Sequence, residues 1–230
     1  MSETLRFVSN ELQLMALSFM AIVYIIRIRW LLKYKASRDR QAPSERRDTS
    51  SLKGIIYSWA NIAMPWSMES TRRMFFFYLQ FVVFHLAVAA NITMSFVIPY
   101  APGLMKPMIV VRLLQILFAA AFVIGCYRMY RRLSNPAMCL ISTPDDLFSL
   151  GLLTAWSFAS IFAAPNRPDL GEGPLTVYFI MTAFFLVYVP FSKISHYLYY
   201  PFIRFYFGRT LGYRGVYPVK HVVQPKPTHT

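Results

Sequence analysis

The chain has 230 residues, of which 56% are hydrophobic and 17% aromatic, whereas only 15% carry a charge. Soluble domains hold about 45–50% apolar and about 25% charged residues, so this composition excludes an ordinary water-soluble enzyme or binding module. The net charge of +14 would suit a nucleic-acid-binding protein, but the basic residues lie between long apolar stretches, which instead indicates an integral membrane protein.

Five apolar stretches are each long enough to cross a bilayer as a helix, and they predict an all-α, five-helix membrane bundle. We predict spans at about residues 11–32, 74–98, 108–128, 147–164 and 175–200. The first stretch starts late, follows Glu3 and Glu11 and precedes no A-x-A site, so we expect no cleaved signal peptide. The expected organisation is one membrane domain over 1–210 and a Pro-rich tail over 211–230.

The cations predict the orientation of these spans. Twenty of the 24 Lys and Arg residues fall into three groups, at 27–73, 128–132 and 193–226. These groups alternate across the five spans, as the positive-inside rule requires. We therefore expect a multi-pass protein of the cytoplasmic (inner) membrane, with its N-terminus outside and its C-terminus in the cytoplasm. The basic surface could meet anionic lipid or an acidic partner.

Between the spans, three short patterns are informative. Residues 54–73 mix Trp and Tyr with polar residues, which predicts an interfacial segment that returns the chain to the membrane. "STPDD", at 142–146, predicts a helix start with Thr143 as N-cap, a proline at N1 and two acids against the helix dipole. Cys126 and Cys139 have neither the number nor the spacing of a disulfide framework or a metal site.

Two histidines lie within apolar spans, where polar residues are costly and usually functional. His85 follows Arg73, the last cation before the second span, by twelve residues, or about 18 Å of helix. His196 precedes Arg204 by eight residues, or about 12 Å. Both imidazoles therefore fall in the inner half of the bilayer, where antiparallel helices could hold a haem iron between them.

Other roles for these histidines stay open at this point. An intramembrane histidine can simply bond a neighbouring helix, or it can line a proton or substrate pathway. Arg128, Arg131 and Arg132 end the third span on the cytoplasmic side, where haem propionates would meet positive charge. The positive-inside rule alone also accounts for these arginines.

Three motifs carry a resemblance to a known family: "MPWSMESTRRMFFFYLQFVVFH" (64–85), "YRRLSNPAMCLISTPDDLFSLGLL" (130–153) and "VPFSKISH" (189–196). They resemble the membrane cytochrome b subunits related to the gamma subunit of respiratory nitrate reductase, a family that includes the membrane cytochromes of heterodisulfide reductase and of the dissimilatory sulfite-reductase-associated complex. The third motif is the most specific, since it looks like the family's Pro-Phe-Ser-Lys/Arg-x-x-His end of helix 5. The five-span, N-out topology is also the family's.

The resemblance implies a cofactor. Members of the nitrate reductase type hold two stacked b haems with four histidines, two each from helices 2 and 5. His85 and His196 match the inner pair, whereas Ser95 and Tyr178 stand where the outer ligands would be. The resemblance therefore implies one haem b on the cytoplasmic side, with His85 and His196 as its axial ligands and with the outer haem lost.

The expected function is electron transfer within a respiratory, hetero-oligomeric oxidoreductase complex, between the membrane quinone pool and a cytoplasmic iron–sulfur subunit. The basic segments 33–53, 128–132 and 204–230 form the expected docking surface for that subunit. A quinone needs hydrogen-bond donors, for which Lys106 and Arg112 are candidates if its site is outside and Tyr78 or the hairpin between spans 1 and 2 if it is inside.

Two rival functions remain. The chain could be a haem-free anchor or assembly subunit of such a complex. A transporter is the weaker rival, because the spans carry no paired acids and no inverted repeat with broken helices is visible.

Overall fold

A computed structural model describes residues 2–34, 41, 49–64 and 72–219 of the chain, and these residues form helices and turns without strands. Part of the expected docking surface (35–40, 42–48 and 220–230) lies outside the described residues, as does the end of the predicted tail. The chain divides into a first unit, Met1–Lys33 with Phe76–Ser195, and a second unit, Tyr34–Phe75 with His196–Thr230. Each unit is described by itself.

The helices have the following bounds: α1 Glu3–Lys33, α2 Ser51–Ala60, α3 Phe75–Tyr100, α4 Met108–Ser134, α5 Pro136–Ile141, α6 Pro144–Ala163, α7 Gly173–Tyr188 and α8 His196–Tyr213. Five of them are long and apolar enough to cross a membrane, namely α1, α3, α4, α6 and α7 with the turn that follows it. The prediction of an all-helical chain with five spans is therefore confirmed, while the orientation of the termini stays a prediction.

The fifth span differs from its predicted bounds of 175–200. Helix α7 ends at Tyr188, and two 3₁₀ turns, Val189–Phe191 and Lys193–Ser195, follow it before α8 begins. Pro190 has no N–H to donate, and Ser192 is extended, with φ −102° and ψ 170°. The continuous apolar sequence therefore forms two helices, and His196 is the first residue of α8 rather than a late residue of the fifth span.

Close contacts between α4, α6 and α7 form much of the core of the first unit. A Cβ atom on Gly125 of α4 would lie 2.2 Å from Thr154 Oγ1 of α6, so glycine is required for this approach. The indole of Trp156 stacks on the ring of Tyr178 with 9° between the planes, and its Nε1 donates to Thr182 Oγ1 at 3.0 Å. All three of these residues are buried.

The start of α6 has the predicted cap. Thr143 Oγ1 accepts from the backbone N–H of Asp146, and the Asp146 carboxylate accepts from the backbone N–H of Thr143 at 2.9 Å. Pro144 occupies the first helical position, where its missing N–H costs nothing. The prediction made from "STPDD" is confirmed.

The second unit is a tight pair of helices, α2 and α8. A Cβ atom on Gly54 would lie 2.2 Å from the carbonyl oxygen of Gly208 and 2.5 Å from Cα of Gly212, so the two backbones touch. Trp59 Nε1 donates to the carbonyl of Pro201 at 3.1 Å. Helix α2 is the first part of the predicted interfacial segment 54–73, whose residues 65–71 lie outside the described part of the chain.

Candidate functional site

His85 lies in α3 with its ring orientation set by its own helix. Its Nδ1 is 2.8 Å from the carbonyl oxygen of Phe81, one turn earlier. A carbonyl oxygen only accepts, so Nδ1 donates, and the neutral ring has its lone pair on Nε2. Metal-binding histidines usually make such a bond from the nitrogen opposite the metal. The Phe81 ring, 4.0 Å away between centroids, supports one side of the imidazole.

Two of the three arginines expected to meet the propionates contact α3. The guanidinium carbon of Arg128 lies 6.0 Å from the ring centre of Phe84, the residue next to His85. That of Arg131 lies 4.7 Å from the ring centre of Phe77. The structure thus brings Arg128 and Arg131 to the half of α3 that carries His85.

Arg132 takes a different direction from its two neighbours. Its Nη1 donates to the Ser142 hydroxyl at 2.9 Å, and that hydroxyl donates to the carbonyl of Met138 at 2.7 Å. This bond ties the end of α4 to the turn after α5. The structure thus gives Arg132 a structural hydrogen bond, and its contact with a propionate stays a prediction.

His196 is an exposed residue at the start of α8 and belongs to the second unit. His85 is exposed within the first unit. Because each unit is described by itself, the pairing of these two imidazoles on one iron stays a prediction.

The segment that precedes His196 is held by a polar cluster, which we call the anchor: Asp145, Asp146, Tyr188 and Lys193. The ammonium of Lys193 donates to Asp146 Oδ2 at 2.9 Å, and it also reaches the hydroxyl of the cap residue Thr143 at 2.8 Å. The backbone N–H of Lys193 donates to Asp145 Oδ2 at 3.0 Å. The chain three residues before His196 is thus tied to the start of α6 by both its backbone and its side chain.

The other end of the same segment is tied to the same carboxylate. The hydroxyl of Tyr188, the last residue of α7, donates to Asp145 Oδ1 at 2.5 Å, and it lies 2.9 Å from the Ser149 hydroxyl. Asp145 therefore spans the break between α7 and the turns that follow it. Sequence reasoning missed the anchor, although two acids and a lysine near the facing ends of consecutive spans were a usable signal.

The two positions that match the outer haem ligands are in contact with each other. Tyr178 is fully buried, its hydroxyl donates to the backbone carbonyl of Asn91 at 2.6 Å, and it also interacts with the Ser95 hydroxyl. The phenol of α7 thus reaches the backbone of α3 directly.

The three candidate quinone donors occupy different environments. Lys106 lines a pocket of about 340 Å³ formed by the loops after α3 and before α7, together with Pro102, Met105, Met108, Val111, Pro165, Asn166 and Arg167. Arg112 does not line this pocket, and its guanidinium donates to Gln115 Oε1 at 3.2 Å. Tyr78 lies near the start of α3, where its ring stacks on that of Phe81.

Depth along α3 separates these candidates. Tyr78 precedes His85 by seven residues, which is about 10 Å of helix. The pocket at Lys106 begins beyond Tyr100, fifteen residues after His85, which is about 22 Å. Tyr78 is therefore closer to His85 along the helix than the pocket is.

Comparisons with family models, with curated proteins and with solved structures found no match to this chain. The resemblance to the membrane cytochromes therefore depends on the three motifs alone. Within the described residues, no group of three or more His, Cys, Asp and Glu side chains could hold a metal ion. A haem iron needs only two imidazoles from the protein, so this finding bears on other kinds of metal site.

Proposed function

We propose that this chain is a b-type cytochrome subunit of a respiratory complex in the cytoplasmic membrane, and that His85 and His196 would hold its single haem. The observation that carries the proposal is the bond from His85 Nδ1 to the carbonyl of Phe81. It selects the tautomer with its lone pair on Nε2, which is the atom that binds iron when Nδ1 is the donor.

The residues around His85 fit a haem. Arg128 and Arg131 supply positive charge beside Phe84 and Phe77 on the same helix, where it would balance the propionates. When bound, a bis-histidine haem supplies transfer of single electrons. The contact of Tyr178 with Ser95 and Asn91 supports one haem rather than two, because side chains fill the level of the outer site.

The anchor contributes by positioning the segment before His196. Asp145 accepts hydrogen bonds from both Tyr188 and Lys193, so the turns between α7 and α8 are held at each end. A ligand that follows such a segment has fewer conformations to lose when iron binds, and pre-organisation of this kind favours binding. On this proposal the anchor residues position a ligand and are not ligands themselves.

The quinone is best placed at the inner end of α3, near Tyr78. Electrons must pass between the quinone and the haem, and Tyr78 is about 10 Å of helix from His85, against about 22 Å to the end of α3 that leads to Lys106. We therefore prefer the inner candidate to Lys106 and Arg112. The iron–sulfur partner would dock on the basic cytoplasmic face, which includes 128–132, and the positive-inside rule sets that orientation.

The test is a reduced-minus-oxidised absorption spectrum of the purified full-length protein. The wild type should have a b-type haem, and His85→Ala and His196→Ala should each remove it. His221→Ala, in the Pro-rich tail, is the matched control and should keep the haem. A protein without haem that still copurifies with an oxidoreductase complex would instead favour the anchor or assembly function. A normal haem in either ligand variant would refute the assignment.

A further inference from the structure

Helix α2 has two unlike faces. Gly54 packs against α8 and Ser58 is buried, whereas Leu52, Ile56 and Trp59 are 66%, 58% and 47% exposed. The last three follow the spacing i, i+4, i+7, which places them on one side of the helix. A helix of ten residues thus has three large apolar side chains that are about half exposed or more, and one of them, Trp59, also bonds α8 through its indole N–H.

The packing of the second unit fixes this stripe in its outward position. The backbones of α2 and α8 touch at Gly54 and Gly208, and a Cβ atom on Gly208 would lie 2.5 Å from Cα of Ile55. The bond from Trp59 to Pro201 holds the other end of α2. Rotating α2 to bury the stripe would drive side chains into this glycine contact, so the stripe stays exposed among the described residues of the unit.

Helix α8 adds exposed aromatic side chains and cations. Phe207 and Tyr213 are 55% and 45% exposed, and Arg209 is exposed between them. The guanidinium of Arg204 lies over the Tyr200 ring at 5.4 Å. The sequence ranges of the second unit hold thirteen Lys and Arg residues against four Asp and Glu. This charge is complementary to an anionic surface.

The connections of the chain join the second unit to membrane spans. The second unit continues directly from α1 at Lys33, leads into α3 at Phe75, and is joined to the turns after α7 by the single peptide bond from Ser195 to His196. All three neighbours are membrane spans or their immediate ends. The second unit is therefore tethered to the bilayer surface by its own chain.

We propose that α2 and α8 form an interfacial hairpin that binds anionic lipid, with Leu52, Ile56 and Trp59 among the acyl chains. Interfacial helices combine an apolar face of this kind with cations that meet the headgroups. An acidic protein partner would be drawn to the same cations, but the membrane spans on either side of this unit in the chain favour the lipid surface. The proposal does not depend on haem.

The test uses the full-length protein in nanodiscs of phosphatidylcholine with and without phosphatidylglycerol. In a background of Cys126→Ser and Cys139→Ser, a nitroxide is attached at Ile56→Cys or, as the matched control, at Lys53→Cys, the position of the exposed cation on the same helix. Oxygen concentrates in lipid and a nickel chelate stays in water, so collision rates report the surroundings of each label. The ratio of oxygen to nickel collisions should be severalfold higher at position 56 than at position 53.

Equal ratios at the two positions would overturn the proposal, because the stripe would then face water; an acidic protein as the true cover predicts this result for the purified chain. The second arm tests the charge. Phosphatidylglycerol should raise the ratio at position 56, and Arg204→Gln with Arg209→Gln should remove that rise while the preference for oxygen persists. Independence of the wild-type ratio from phosphatidylglycerol would overturn the anionic-lipid part. Unchanged thermal unfolding of each variant confirms that it is folded.

Discussion

The ion pair of Lys193 and Asp146 joins the segment after α7 to the start of α6, and the energetic effect of removing it can be estimated. The ammonium donates to Asp146 at 2.9 Å and to Thr143 at 2.8 Å. The two side chains of the pair are 57% and 18% exposed, so water screens the lysine more than the aspartate. Shielded charged hydrogen bonds contribute about 1.5–3 kcal/mol and exposed pairs about 0–1 kcal/mol, so we expect about 1 kcal/mol here.

Lys193→Met keeps the alkyl stem and should lower the free energy of unfolding by about 1 kcal/mol. Asp146→Ala also removes half of the capping box of α6 and should cost about 2 kcal/mol. In the double variant the two losses should overlap by about 1 kcal/mol, because either substitution already breaks the pair. Denaturant titration of the reconstituted protein, followed by circular dichroism, measures all three values.

The pair of Arg167 and Asp169 provides the matched control. Its side chains are 57% and 59% exposed, so water reaches both partners, and the coupling from the corresponding double-variant cycle should be smaller. If the losses at Lys193 and Asp146 simply add, with no coupling between them, the reasoning about this pair is refuted. The anchor would then depend on Asp145 alone.

Two further predictions concern other parts of the chain. Gly54→Ala should open the contact of α2 with α8 and speed hydrogen exchange in both helices, because the new methyl group would lie 2.2 Å from the carbonyl oxygen of Gly208. The control is Gly103→Ala, which should change little because Gly103 has open space around it. The Glu172 carboxylate accepts hydrogen bonds from the hydroxyl and the backbone N–H of Ser2, and these bonds lower the pKa of Glu172. The link between the two residues should therefore be intact above the ordinary pKa of glutamate. It should be lost as the pH falls through the lowered pKa. Hydrogen exchange at the start of α1, measured against pH, should follow that titration in the wild type and be flat in Glu172→Gln, which has no carboxyl group to titrate.

The five spans could be predicted because each is a long apolar run, and the start of α6 because its cap is local. The break after Tyr188 could not be predicted in the same way. Residues on both sides of Pro190 and Ser192 are apolar and aromatic, so the hydropathy of the fifth span continues into α8. Proline is also tolerated within membrane helices, so Pro190 alone does not predict the end of a helix.

The candidate site also has features that the sequence predicts and features that it does not. His85, Arg128 and Arg131 could be named from the sequence, since cations and imidazoles are rare in apolar spans. The anchor and the bond from Tyr178 to Asn91 join residues more than forty positions apart, and nothing in the sequence pairs them. The tautomer of His85 depends on a carbonyl of its own helix turn, and no sequence pattern indicates it.

If the proposed function is right, the bond from Tyr178 to the backbone of α3 has a consequence for bioenergetics. With side chains in place of an outer haem, the protein would have no second carrier to take electrons across the membrane. Electrons would then enter and leave near the cytoplasmic face only. Protons taken up or released by the quinone would come from that compartment too. Turnover would then displace no charge across the lipid, so this cytochrome would run without generating membrane potential and without being slowed by it.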